Sequence, residues 1–190
     1  MRARTTLPAV VAAALLTVTG CGSDGNPAAT SDTGTVTATP AGTSAAGSGP
    51  AASPSVPDVL RFTGTTIDGA SFDAATLAGK PTVLWFWAPW CPKCRAQAAE
   101  TATVAAATAG RANVVGVAGL DKNAAMRDFV SDTDTAAFPH LSDEKGEIWK
   151  RFKITEQSTY VILDKDGKTT YTGVLPGGKG LADKLAALTG

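Results

Sequence analysis

An uninterrupted apolar run that leads into a pair of cysteines constrains the fold of this chain more than any other feature. The run, Pro81 to Ala88, reads PTVLWFWA and is typical of a strand covered on both faces. Cys91 and Cys94 follow within a few residues, and the alanine-rich segment after them, which ends at Gly110, predicts a helix with a glycine stop. The cysteine pair is therefore expected at a strand-to-helix junction.

The rest of the pattern between residues 58 and 190 predicts an α/β domain. Alternating residues around Asp68-Gly69 predict a short hairpin before the buried strand. The segment NVVGVAGL predicts a second buried strand, NAAMRDFVSDT and GEIWKRF predict helical segments, and STYVILDKDGKTTYTGVL predicts a hairpin that turns at Asp166-Gly167. Strands that alternate with helices indicate an α/β sandwich. The apolar faces of the second and last helices are Met126, Phe129 and Val130, and Leu181, Leu185 and Leu188.

The first 57 residues lie outside this domain. Arg2 and Arg4 precede an apolar stretch, 7–18, that is too short to span a hydrocarbon core of ~30 Å, and this is the anatomy of a signal peptide. The end of the stretch, VTGC, resembles the lipobox of bacterial lipoproteins, which implies a signal peptide over 1–20 and acylation of Cys21. An ordinary cleaved signal is the alternative. Residues 21–57 consist largely of Ala, Gly, Ser, Thr and Pro, so they predict a disordered tether. The domain is then expected at the extracytoplasmic face of the bacterial membrane, held by its lipid.

Composition excludes some classes of partner. The chain has 17 basic and 17 acidic residues, so nothing indicates nucleic-acid binding. Its three cysteines are too few for a disulfide framework.

Three roles are open to the cysteine pair. A bridge between Cys91 and Cys94 closes almost no loop, so it adds little stability. A zinc site needs about four ligands, and the one histidine, His140, lies far along the chain. A metal or iron–sulfur cluster bound jointly by two chains stays open as an alternative. The redox role is favoured, because helix N-terminal amides stabilise a thiolate, Pro92 fits the first helical turn and Lys93 adds positive charge.

The segment FWAPWCPKCRAQ resembles the active-site segment of thioredoxin-like proteins, in particular the extracytoplasmic TlpA/DsbE-like group. The resemblance extends from about residue 59 to residue 190. It includes LAGKPTVLWFWAPWC at the first core strand, VVGVAGLDKNAAMRDFV and FPHLSDEKGEIWKRFKI in an inserted strand-helix segment, and VILDKDG in the closing hairpin. It implies a thioredoxin-like three-layer α/β/α sandwich with a central mixed sheet and an N-terminal β-hairpin.

The resemblance also implies roles for individual residues. Cys91 would be the exposed attacking sulfur and Cys94 the buried resolving one, linked by a disulfide in the oxidised state. Trp87 and Trp90 would flank the site, with Trp87 mainly a core residue.

Two positions depart from the group's pattern. The group carries a buried glutamate three residues after the second cysteine, where this chain has Gln97; Glu100, the nearest carboxylate, is expected to be a solvated surface residue. The group also has a cis-proline that faces the cysteines, where this chain has Ser158. The Gln157–Ser158 peptide is expected to be trans, because a cis bond there costs ~2.5–4 kcal/mol. Ser158 would then add an N–H and a hydroxyl near the sulfurs.

These features predict a membrane-tethered thiol–disulfide oxidoreductase that acts on protein cysteines outside the cytoplasm, as a monomer without a cofactor or metal, and that a second protein recharges. The direction of exchange depends on the reduction potential of the cysteine pair, which the sequence alone does not give. Two alternatives stay open. One is a binding or sensing module on the same scaffold, and the other is a metal or iron–sulfur site made possible by Ser158.

Overall fold

The computed structural model describes residues 55–176 and 179–190, which form two β-sheets and four α-helices. Two short 3-10 helices, Asp58–Leu60 and Ala74–Leu77, flank the N-terminal hairpin. The strands are β1 Thr63–Thr65, β2 Ser71–Asp73, β3 Thr82–Trp87, β4 Asn113–Gly119, β5 His140–Asp143, β6 Thr159–Leu163 and β7 Thr169–Val174. The helices are α1 Pro92–Ala107, α2 Asn123–Asp132, α3 Glu147–Arg151 and α4 Leu181–Thr189.

The central sheet is mixed, with the strand order β5-β4-β3-β6-β7. Strands β3, β4 and β5 are parallel, whereas β6 is antiparallel to β3 and β7 is antiparallel to β6. Strands β1 and β2 form the separate antiparallel hairpin. The predicted mixed sheet and N-terminal hairpin are therefore confirmed. Because β3, β4 and β5 run the same way, the residues that follow them all emerge at one edge of the sheet.

Both faces of the sheet are covered, which explains the uninterrupted apolar run of β3. Alternate side chains point to opposite faces of a strand. Val83, Trp85 and Trp87 belong to one apolar cluster, which residues of α1, α2 and α4 complete. Leu84 and Phe86 belong to the other cluster, which contains residues of α3 and of the two 3-10 helices. The faces predicted for α2 and α4 are confirmed, since Leu188 packs against the first cluster and the other five residues are buried in it.

Some boundaries differ from the sequence prediction. Helix α1 ends at Ala107, and Gly110, with a φ of 79°, lies within the turn that follows. The residue pattern alone does not delineate β5, which has only four residues. Val56, assigned to the tether, packs against the second cluster. Cys21 and the predicted signal peptide lie outside the described residues. Within residues 55–176 and 179–190, no helix is long and apolar enough to cross a membrane.

Candidate active site

The cysteine pair sits at the start of α1, directly after the turn that leaves β3. Cys91 is the N-cap residue and Pro92 follows within the first turn, where a missing N–H costs nothing. Cys91 and Cys94 form a disulfide, and their Cα atoms are 5.3 Å apart. The backbone N–H of Cys94 donates to Cys91 Sγ over 3.1 Å. The first turn of the helix therefore already presents an amide to the sulfur that would carry a thiolate's charge.

Neither cysteine is exposed in this disulfide form. Cys91 is 2% exposed and Cys94 is fully buried, and both belong to the apolar cluster under α1. The expectation of an exposed Cys91 is thus wrong for the oxidised state. The reason is the N-cap geometry, since the Cys91 side chain turns back over the first helical turn and bonds to Cys94.

The residues next to the cysteines form the accessible part of the site. Pro92 and Lys93 are exposed. Trp90 is 54% exposed, and its indole N–H donates to the carbonyl oxygen of Leu120 over 3.3 Å. Trp87 is fully buried and stacks on Phe129, with ring centroids 4.3 Å apart. The predicted core role of Trp87 is therefore confirmed, whereas Trp90 lies at the surface.

Gln97 is a buried link between three segments. It lies one helical turn after Cys94 and is 1% exposed. Its Oε1 accepts from the indole N–H of Trp85 over 2.8 Å, and its Nε2 donates to the carbonyl oxygens of Ser158 (3.0 Å) and Leu175 (3.2 Å). The amide thus uses both its acceptor and its donors, and it joins α1 to the entry of β6 and the exit of β7.

Ser158 lies directly before β6, at the position of the group's cis-proline. The Gln157–Ser158 peptide is trans, as predicted, and Ser158 has a φ of 72°. The N–H of Ser158 donates to Phe86 O over 2.8 Å, so the added N–H is used by the sheet. Ser158 is fully buried, and its hydroxyl has no hydrogen-bond partner among the described residues. Gln157 is half-buried.

Glu100 is not a solvated surface residue. Its Oε1 accepts the backbone N–H of Leu181 over 3.1 Å, and its Oε2 is buried without a hydrogen-bond partner among the described residues. Gly180, the N-cap residue of α4, has no side chain to cap the helix. The carboxylate of Glu100 on α1 supplies that cap instead.

A buried aromatic network beneath the site was not predicted. The indole N–H of Trp87 donates to His140 Nδ1 over 3.2 Å, and His140 Nε2 lies 2.9 Å from the carbonyl oxygen of Thr135. That oxygen only accepts, so Nε2 carries the proton and the ring is neutral. Burial lowers the pKa of His140 to about 4. Nearby, burial raises the pKa of Tyr160, whose hydroxyl pairs with Thr101 over 2.8 Å.

No residue pattern indicates the Trp87–His140 contact, because the two positions are 53 residues apart and meet only through the sheet order. Among the described residues, no group of three or more His, Cys, Asp and Glu side chains is placed to hold a metal ion.

The fold and the site define a class of protein. A mixed sheet between two helical layers, with a cysteine pair at the N-terminus of the helix that follows a central strand, is the thioredoxin-like arrangement. The chain belongs to the AhpC/TSA family, whose family model matches residues 56–172.

Similar proteins include secreted mycobacterial ones. The chain is 41% identical over 112 residues to the "soluble secreted antigen MPT53" of Mycobacterium tuberculosis, a match that covers 59% of this chain and 64% of that protein. The chain thus spans somewhat less than two thirds of these curated relatives, which include the Mycobacterium bovis protein of the same name.

Two solved structures are also similar. The structure of MTB DsbF in mixed oxidised and reduced forms is 39% identical, with a TM-score of 0.66, and the match covers 71% of this chain and 100% of that one. The structure of a secreted M. tuberculosis disulfide oxidoreductase, described as homologous to E. coli DsbE, is 41% identical, with a TM-score of 0.63. This match covers 69% of this chain and 98% of that one.

Proposed function

We propose that this protein is an enzyme, a thiol–disulfide oxidoreductase that exchanges disulfides with protein cysteines through Cys91 and Cys94. The observation that carries the proposal is the position of the pair at the N-terminus of α1, where the Cys94 N–H reaches Cys91 Sγ. A helix N-terminus stabilises negative charge, so Cys91 is the sulfur best able to leave and attack as a thiolate. Cys94 lies deeper, at 0% exposure, and it is the resolving sulfur.

The exchange takes place in two balanced steps. A partner thiolate attacks Cys91 Sγ, the Cys91–Cys94 bond breaks, and Cys94 leaves with the electron pair and takes up a proton. A second partner thiolate then attacks the partner's sulfur in the mixed disulfide and releases Cys91. The partner has lost two electrons and the protein has gained them. The reverse sequence reduces a partner disulfide, and the reduction potentials of the two pairs set the direction.

The similar proteins support this reaction class. One similar structure, 41% identical to this chain, is described as that of a disulfide oxidoreductase. The other, 39% identical, is described as containing mixed oxidised and reduced forms. Protein thiols are the substrates that we assign, and a second redox protein is needed to restore the starting state after each turnover.

We place the domain outside the cytoplasm, on a lipid anchor at Cys21. Two of the similar proteins are described as secreted, which supports the compartment. The VTGC sequence supports the anchor. Mass spectrometry of membrane-extracted protein is expected to find a diacyl or triacyl mass on an N-terminal Cys21. A soluble mature chain that starts at another residue would contradict the anchor but leave the redox proposal intact.

The test of the activity is turnover on a model protein disulfide, measured together with the Cys91–Cys94 reduction potential. We expect turnover that Cys91→Ser and Cys94→Ser each abolish, with Thr103→Ser on the far part of α1 as a matched control. Absence of turnover in a folded protein that still binds peptides would favour the binding module, and a coloured or metal-containing preparation would favour the cluster.

A further inference from the structure

An exposed apolar pair borders the disulfide. Among the described residues, the large apolar side chains classed as exposed are Trp90, at 54%, and Leu120, at 51%. They contact each other, since the Trp90 indole N–H donates to Leu120 O over 3.3 Å. Isolated exposed apolar residues need no explanation, but a joined pair at a reactive site indicates a contact surface.

The sheet places this pair at the redox edge. Strands β3 and β4 are parallel and Trp87 pairs with Ala118, so both strands end at the same edge. Trp90 follows β3 and directly precedes Cys91, and Leu120 is the first residue after β4. Trp90 is therefore the residue beside Cys91, and Leu120 is in contact with Trp90 at the same edge of the sheet.

The backbone at Leu120 favours a contact role over a folding role. Its φ of 61° lies in the left-handed region, which is disfavoured for a bulky side chain and favours Gly or Asn. The side chain is half exposed, so it gains little from the core of its own domain. A polar residue would satisfy this turn at lower cost. The leucine gains its full apolar contact only when something else covers it.

We propose that Trp90 and Leu120 form an apolar docking surface for the extended polypeptide segment that carries the partner's reactive cysteine, and that this surface selects segments with an apolar side chain two residues from that cysteine. This proposal rests on the proposed oxidoreductase function.

The spacing follows from strand geometry. A disulfide holds the Cβ atoms of its two cysteines roughly 4 Å apart, which fixes the partner cysteine against Cys91. In an extended chain, alternate side chains share a face and are separated by about 6.6 Å. The residue two positions from the partner cysteine therefore faces the same surface as that cysteine, and Trp90, the residue before Cys91, is the apolar side chain that we expect it to meet. The neighbouring charges, Lys93, Asp121 and Lys122, have both signs, so apolar contact and not charge is expected to select the segment.

The test uses the reduced full-length protein and two peptides with one cysteine each, Leu-Xaa-Cys-Xaa-Leu and Ser-Xaa-Cys-Xaa-Ser, present as mixed disulfides with thionitrobenzoate. The protein dithiol is oxidised to its disulfide, and the peptide thiol and coloured thionitrobenzoate are released. The mixed disulfide of thionitrobenzoate with 2-mercaptoethanol has no peptide segment, so its rate reports the intrinsic reactivity of the Cys91 thiolate.

We expect the leucine peptide to react on the order of tenfold faster than the serine peptide. Leu120→Asn introduces a polar side chain that tolerates the left-handed backbone. We expect it to reduce the ratio of the two peptide rates by about threefold or more and to leave the mercaptoethanol rate unchanged. Lys122→Asn, the same new side chain two residues away on an exposed position, is expected to change neither.

Each other result overturns the proposal. Equal rates for the two peptides in the wild type would show that the surface selects nothing. A Leu120→Asn variant that slows all three reagents alike would show that Leu120 acts on the disulfide itself. A folded protein that reacts with none of the reagents, mercaptoethanol included, would contradict the oxidoreductase function as well.

Discussion

The side-chain amide of Gln97 donates a hydrogen bond to the carbonyl oxygen of Ser158, 3.0 Å away and 61 residues further along the chain. The same Nε2 donates to Leu175 O, so this one buried group holds together the active-site helix and both segments that border it. Gln97 and Ser158 are the two positions at which the sequence departs from the TlpA/DsbE-like pattern, and they are in direct contact.

Gln97→Glu is expected to destabilise the protein in a pH-dependent way. A carboxylate in place of the Nε2 group would face two carbonyl oxygens, so the folded state would raise the pKa of the new side chain. The folded state then binds more protons than the unfolded state as pH rises above the unfolded pKa of ~4.3, and stability falls with rising pH. We expect the free energy of unfolding to fall by on the order of 3 kcal/mol at pH 7 and by less at pH 4. Urea denaturation at the two pH values measures this difference.

Gln97→Met is the control for this prediction, because it removes the same hydrogen bonds without adding a charge. Its loss of stability should be the same at both pH values. A Gln97→Glu variant whose loss does not change with pH would show that the two carbonyl groups do not face the new carboxylate.

Ser158→Pro, which introduces the residue that the TlpA/DsbE-like group has at this position, is expected to destabilise the fold. Proline holds φ near −65° and has no N–H, whereas Ser158 has a φ of 72° and donates to Phe86 O. We expect a loss of roughly 3 kcal/mol or more. Ser158→Gly, which accepts the positive φ and keeps the N–H, should stay within about 1 kcal/mol of the wild type. Thermal melts of both variants check this, and a Ser158→Pro protein as stable as the wild type would mean that the segment adopts another conformation.

His140 is expected to make the fold sensitive to mild acid. Burial lowers its pKa in the folded state to about 4, against ~6.5 in the unfolded chain. Between these values the unfolded state binds more protons, so the contribution is fully present above pH 6.5 and is lost as pH falls towards 4. The loss should total on the order of 3 kcal/mol.

The measurement is urea denaturation from pH 7.5 to pH 4.5 on the wild type and on His140→Gln, which keeps an acceptor for Trp87. Carboxylates titrate in both proteins, so the difference between the two curves isolates the chain's one histidine. If the two curves run parallel across this range, His140 is not the buried neutral ring described above.

Gly116 makes room for the Trp87–His140 hydrogen bond. A Cβ atom at this position would lie 2.8 Å from Trp87 Nε1 and would also meet the His140 ring. Gly116→Ala should therefore cost about 1–3 kcal/mol, as overpacking of a buried site does. Gly64→Ala is the matched control, because its nearest contact would be an ordinary 3.4 Å from Ile148. Equal melting temperatures for the two variants would contradict this packing.

The parts of the fold that the sequence predicted are those with strong local signals. The apolar run of β3, the proline after Cys91 and the Asp-Gly turns each determine structure over a few residues, and all were located correctly. The cap that Glu100 provides for α4 and the hydrogen bond between Trp87 and His140 join residues far apart in the chain. Local patterns cannot indicate such pairs, because only the packing of the helices and the order of the strands bring them together.

The candidate site follows the same division. The position of the cysteine pair at a helix start was predictable, because the apolar run before it and the alanine-rich segment after it are strong local signals. The accessible surface of the site was not, since the exposure of Trp90 and the left-handed backbone of Leu120 depend on how β3 and β4 end side by side. The low exposure of Cys91 depends on the N-cap geometry in the oxidised state, which the spacing of the cysteines does not reveal.

The most direct test of the central claim is to trap the mixed disulfide on one cysteine and not on the other. The Cys94→Ser protein should accumulate a covalent adduct at Cys91 when it is mixed with a disulfide-containing protein substrate and quenched with acid, because the resolving sulfur is missing. The Cys91→Ser protein should accumulate little adduct, since Cys94 is fully buried and the N-cap position that stabilises a thiolate belongs to Cys91. Peptide mapping by mass spectrometry locates the adduct. Equal adducts on both variants, or adducts only on Cys91→Ser, would contradict the assignment of Cys91 as the attacking sulfur.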